Sequence, residues 1–287
     1  MISKVFRVLL VGVVLSACVQ STPRFTLESY PRVDGSTVTI PLSEALMAKL
    51  TGKTIDEVRP YLLHNKTHQA YLNLIEGTKD LIFVTSPSMA ELAYADEKGV
   101  ELEVVPVSRE AFVFLVHKDN PVESLSLAQI QDIYTGKITN WAQVGGDDVP
   151  IRAFQRPINS GSQTGFLDLV MKGKNPMEPP TEWITAEMGQ LIEAVASYDR
   201  SPDAIGYSYY YFVTDMWGNP NVRLLKVNDV YPQPYTITDQ SYPIVTAYYA
   251  VFRKSEAPNS AVRNVVAFVL SASGQNLVES SGYVKVR

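Results

Sequence analysis

Periodicity is the feature that narrows the fold of this chain most. After roughly the first thirty residues, short apolar runs alternate with longer amphipathic stretches as far as the C-terminus. That alternation is the signature of an α/β protein built around a buried sheet. The run Leu81-Ile82-Phe83-Val84 has no polar residue and reads as a buried parallel strand. No short tandem repeat is visible, which argues against a solenoid. At 287 residues the chain is long for one core and comfortable for two lobes.

The pattern gives a coarse element order. Asp34-Gly35-Ser36-Thr37 reads as a loop before a helix from Pro41 to Leu50, where Leu42, Ala45, Leu46 and Leu50 share a face. Ile55 to Leu63, Gln69 to Glu76 and Met89 to Gly99 are further expected helices, the last closed by Gly99. Leu102 to Val107 and Ala111 to Val116 read as two strands. A helix from Leu127 to Tyr134 follows, with Ser126 as its cap and Gly136 beyond its end. Then come a strand Ile151 to Phe154, a helix Thr164 to Met171, a helix Met188 to Ser197 and a strand Ala204 to Tyr207. Val222 to Val227 and Val245 to Phe252 read as strands. Val262, Val265, Val266 and Val269 have helical spacing, and a last helix runs from Gly274 to Glu279. The expected organisation is a first lobe over 30–110, a second over 111–227 and a return to the first over 228–287.

The N-terminus has its own pattern. Lys4 and Arg7 precede an apolar run from Val8 to Leu15, and Leu15-Ser16-Ala17-Cys18 follows. A basic start, a short apolar run and small residues describe a secretory signal peptide over 1–17. The run is shorter than the roughly 20 residues of a membrane span. Small residues ahead of a cysteine resemble a bacterial lipobox, so Cys18 is expected to be lipidated, with 18–29 as a tether to the membrane. Cys18 is the chain's one cysteine, so the body has no internal disulfide.

A formal charge of −5 speaks against a nucleic-acid partner. It does not speak against a small anion, which responds to nearby N–H groups and one or two cations. Two hydroxyl-rich turns stand before expected helices: Asp34 to Pro41, and Gln155 to Phe166. A helix start offers unpaired N–H donors and the positive end of a dipole. Gly35 and Gly161 permit close approach, and Arg156 adds a cationic fork suited to a tetrahedral oxyanion. The plainer reading is that both turns are ordinary helix caps.

Asp34-Gly35-Ser36-Thr37, Ile138-Thr139-Asn140-Trp141, Arg156 to Thr164, Ala204-Ile205-Gly206-Tyr207, Gly274-Gln275 and Gly282-Tyr283 occur in this order. Together they resemble the phosphate-binding proteins of bacterial ABC importers, over nearly the whole body of the chain from about Tyr30. The resemblance implies a two-lobed α/β periplasmic-binding-protein-like (type II) fold with the ligand in the cleft, no catalysis and no cofactor. It implies a phosphate or related oxyanion ligand, an ABC permease as partner, and a place outside the cytoplasm on a lipid anchor. Carried over position by position, Ser36 and Thr37 match the first donor loop, and Arg156, Ser162, Gln163 and Thr164 the second, with Ser160 and Gly161 in a variant stretch of that loop. Thr85 and Ser86 fall where well-known members carry an aspartate and a small residue. An aspartate accepts from protonated phosphate and repels a fully ionised anion. A threonine donates to either, so phosphate against sulfate stays open. The helix-start hydroxyl falls near Thr67, followed by His68 instead of a serine.

Other features have plainer readings. His64 and His68 are four apart and share a face if helical, but no third metal ligand accompanies them, and none is expected. His117 reads as structural, and the run Tyr207, Tyr209, Tyr210 and Tyr211 as packing between lobes. Gly161-Ser162-Gln163-Thr164-Gly165 has its serine in the wrong place for a nucleophile elbow, and no Walker or dinucleotide loop occurs. A sensor or adhesion lipoprotein that kept this fold without import is the alternative.

Overall fold

The computed structural model describes residues 22, 24–197 and 203–286. The signal peptide expected over 1–17 and the lipidation expected at Cys18 lie outside the described residues.

The first elements are β1 (Val33–Gly35), a 3-10 turn at Thr37–Thr39, α1 (Ile40–Thr51) and α2 (Ile55–Val58). Next come α3 (Lys66–Ile75), β2 (Leu81–Val84), α4 (Met89–Glu97) and β3 (Leu102–His117). β4 (Ser124–Leu125), α5 (Leu127–Tyr134), β5 (Arg152–Ala153), α6 (Gly161–Gly165) and α7 (Met188–Ala196) follow. The chain continues through β6 (Ala204–Tyr209), β7 (Val222–Leu224), β8 (Lys226–Val227), α8 (Pro234–Thr238) and β9 (Val245–Arg253). It closes with α9 (Ala261–Leu270) and α10 (Ala272–Ser280).

One seven-stranded sheet organises the molecule, in the order β1-β2-β9-β3-β6-β5 with β7 also paired to β3. Its backbone is β3. From Leu102 to Ala111 this strand pairs antiparallel with β9, and from Phe112 it pairs with β6 and β7. The two strands expected over Leu102 to Val107 and Ala111 to Val116 are therefore one, with a register shift between Pro106 and Ser108. The intervening residues stay extended because β9 continues beside them, while Arg109 N donates to Val284 O on their other side. β2 is parallel to β1 on one side and antiparallel to β9 on the other, so the parallel expectation for Leu81–Val84 is half of the answer.

The helices follow their caps. Ser126 accepts from Gln129 N at the start of α5, and Ser88 accepts from Glu91 N at the start of α4. The helix expected from Ile55 to Leu63 is interrupted: α2 ends at Val58 and a 3-10 turn carries Arg59–Tyr61. Pro60 has no N–H to continue the helix. The strand expected over Val222 to Val227 is broken at Leu225, whose N–H turns to Phe114 O. The turn Asp34-Gly35, expected as loop, closes β1.

α3 packs on β1, β2 and β9, whereas α7 packs on β6, β7 and the far end of β3. The core beneath α7 and α6 is aromatic. Phe166 and Tyr207 stack at 4.5 Å between centroids, with Tyr134, Phe112 and Phe114 around them. Truncating a buried phenylalanine such as Phe166 to alanine typically costs about 3–5 kcal/mol. This core holds the N-terminus of α6 against the end of β6.

Candidate anion-binding site

Two loops converge across the cleft between these halves of the sheet. On one side, β1 and β2 run parallel, so the turns at their C-terminal ends lie side by side and carry Ser36 and Thr85. On the other, the loop after β5 carries Arg156 and leads into α6 at Gly161. Ser36, Thr37, Thr85, Arg156, Ser160, Gly161 and Ser162 line one shared cavity of about 1240 Å³. Ser86, Gln163 and Thr164, also singled out from sequence, do not line it.

The first wall is tied down by its own chain. Asp34 is wholly buried and accepts from Gly35 N, Asn65 N, Asn65 Nδ2 and Asn73 Nδ2 at 2.7–2.8 Å. It thus joins the Ser36 turn to the start of α3. His64 contacts Ser36 O at 2.8 Å and Ser43 Oγ at 3.1 Å, and burial holds its pKa below the ordinary value. Gly35 is required here, because a Cβ would stand 2.3 Å from Phe83 O and 2.7 Å from the His64 ring. His64 precedes α3 while His68 lies within it and turns to Glu91, so the two histidines do not share a face.

The second wall is held by a buried amide. Gln163 Oε1 accepts from Arg156 N at 3.1 Å and from the Tyr207 hydroxyl, and Gln163 Nε2 donates to Gln155 Oε1. Gln163 therefore shapes the loop from behind. Ser160 caps α6 by accepting from Gln163 N, and this helix runs on as a π-helical segment, Phe166–Met171. The helix expected from Thr164 begins three residues earlier, at Gly161, because Ser160 is its cap. The first N–H groups of α6 consequently have no intrahelical partner.

The halves meet at Gly161. A Cβ there would lie 2.5 Å from Thr67 Oγ1 and 2.7 Å from Thr85 Oγ1. Two hydroxyls of the first half thus sit against the open end of a helix of the second. Lys66 Nζ and Glu187 Oε1 form an ion pair at 2.5 Å across the mouth.

What the arrangement lacks defines its chemistry. Arg156 is 8% exposed, and its Nη2 donates to Ala186 O at 3.0 Å, yet its Nε and Nη1 have no partner. Burial lowers its pKa, opposing the charge. Ser162 Oγ is likewise buried without a partner. A buried cation with idle donors is costly unless an anion completes it. Hydroxyls, helix-start N–H groups and a guanidinium fork together fit a tetrahedral oxyanion. Lys66, Thr67, His68, Asn159 and Tyr209 also line the cavity. Of these, Thr67 and Asn159, which lies in the second hydroxyl-rich turn, carried a sequence signal for the site; Lys66, His68 and Tyr209 are brought in by the fold. Among the described residues no cluster of three or more metal-ligating side chains occurs.

Comparison with known proteins places the fold in a known superfamily. The phosphate-binding protein PstS of Bacillus subtilis is 29% identical over 198 residues, 67% of this chain and 62% of the relative, less than two thirds of its length. A crystal structure from Clostridium perfringens, assigned as a phosphate ABC transporter substrate-binding protein with phosphate bound, superposes with a TM-score of 0.70 at 26% identity, covering 89% of this chain and 98% of that one. An ABC-type phosphate transport receptor from Vibrio cholerae shares the fold, with a TM-score of 0.66 at 21% identity over 88% of this chain and 98% of its own. The PBP superfamily domain matches residues 27–273, and the chain belongs to that superfamily.

Proposed function

We propose that the chain is the extracytoplasmic solute-binding component of an ABC importer and captures inorganic phosphate or a close tetrahedral analogue in the cleft. Residues 30–110 with 228–287 form one lobe and 111–227 the other; closure brings Ser36, Thr67 and Thr85 against Arg156, Gly161 and Ser162. Binding shifts the population toward this closed form, which docks on a permease. The chain is a binding protein and not an enzyme. Cys18 anchors it to a membrane by lipid; no helix among the described residues is long and apolar enough to cross one. The observation that carries the reading is the buried Arg156, which leaves two nitrogens without a partner and lines a cavity shared with Ser36 of the opposite half. Calorimetric titration of ligand-free protein with phosphate, arsenate and sulfate tests it. Heat with phosphate is expected, and silence with every oxyanion would remove the reading.

A further inference from the structure

Arg156 and the helix-start N–H groups only donate hydrogen bonds, and they would hold any tetrahedral oxyanion. Hydrogen phosphate differs from sulfate by one O–H, and reading that proton takes an acceptor. His68, in the first turn of α3, lines the same cavity. Its Nδ1 lies 3.0 Å from Glu91 Oε1. Glu91 is 1% exposed, and its other oxygen accepts from Ser88 N at 2.7 Å as part of the α4 cap. The helix start thus fixes the carboxylate through Oε2, and Oε1 faces the ring as an acceptor. The tautomer assigned from that partner carries its proton on Nδ1 and leaves a lone pair on Nε2. Nε2 sits on the opposite edge of the ring and makes no hydrogen bond among the described residues, while the side chain is 40% exposed. Lys66 and Glu187, the charged pair at the mouth, are engaged with each other.

We propose that His68 is a specificity-determining residue of the cleft, whose Nε2 accepts the proton of hydrogen phosphate or hydrogen arsenate, and that Glu91 is the positioning residue that fixes its tautomer. The proposal rests on the anion-binding reading above. It supplies from α3 an acceptor that cannot also donate, whereas the Thr85 hydroxyl at the end of β2 can do either.

The test is calorimetry of the full chain with phosphate and with sulfate at mildly alkaline pH, where both are dianions. The unaltered protein should favour phosphate by about tenfold or more, the worth of one well-placed hydrogen bond. His68→Phe keeps a ring without an acceptor and should bring the two anions within about threefold, mainly by losing phosphate affinity. Glu91→Gln keeps the imidazole and should lose part of the preference. Nitrogen-15 spectra of the ring should show one Nδ1–H tautomer in the unaltered protein and a mixture in Glu91→Gln, which keeps the question answerable if His68→Phe misfolds. An undiminished phosphate preference in folded His68→Phe, equal binding of both anions by the unaltered protein, or an Nε2–H tautomer would each overturn the proposal while leaving the anion site intact. Binding of neither anion would remove the site itself and the proposal with it.

Discussion

Two buried ionisable groups show opposite solutions to the same problem. Glu110 lies at the point where β3 passes from β9 to β6, and it is 2% exposed. Its Oε1 accepts from Ala111 N at 2.8 Å and from Tyr211 N at 3.4 Å. Arg156 lies in the cleft with similar burial and two donors idle. The crossing carboxyl is completed by its own chain, whereas the cleft guanidinium waits for something from outside. Unmet polar capacity under burial, more than charge as such, is what separates a binding site from a structural device.

The sharpest way to break this contrast is Arg156→Met. Two charge-assisted hydrogen bonds are worth about 1.5–3 kcal/mol each, so phosphate affinity measured by calorimetry should fall about a hundredfold or more. The ligand-free variant should unfold in urea no earlier than the unaltered protein, because an unpaired buried cation stabilises nothing. Early unfolding would mean that Arg156 is structural, like Glu110.

The next effect concerns Glu110. Burial pushes its carboxyl up to about 7 from an unfolded value of 4.5. The raised value means that the folded state holds the proton more tightly. Its contribution to stability is full below 4.5 and is lost as the pH rises through about 7. Glu110→Gln imitates the protonated form and should gain on the unaltered protein by roughly 2–3 kcal/mol between mildly acidic and mildly alkaline pH, read by urea unfolding. A parallel pH profile for the two proteins would show that the carboxyl is not confined as described.

Gly161→Ala should weaken phosphate binding about tenfold, since the added methyl pushes Thr67 and Thr85 away from the start of α6. Ligand-free stability should hold, because alanine suits a helix better than glycine. The smallest change is Ser162→Ala, which removes one neutral donor worth about 0.5–1.5 kcal/mol and should lower affinity a few-fold. An effect as large as that of Arg156→Met would move the centre of the site from the guanidinium to the hydroxyl.

Local signals carried much of this into the sequence. Caps made α4 and α5 legible, with Ser126 at the start of α5 and Gly99 and Gly136 just past the two ends, both in the left-handed region. The hydroxyl turns were legible because Ser36 and Ser160 stand where helices begin. What stayed hidden depends on partners far along the chain. The continuity of β3 is decided by β9, more than 120 residues later. Gln163 reads as a donor in a serine-rich loop, yet Tyr207, 44 residues on, turns it inward. The His64 and His68 spacing suggests one helical face, but α3 starts at Lys66, between them. His68 acquires its partner only when α4 packs beside α3, a contact that spacing does not encode.

The Lys66–Glu187 pair gives the cleft a clasp on its wet side, with both side chains about half open to solvent. Such a pair contributes about 0–1 kcal/mol and weakens as dissolved ions screen it. On the proposed reading, the grip on an anion is set deep inside by Arg156, while ionic strength sets how readily the two sides of the cleft part.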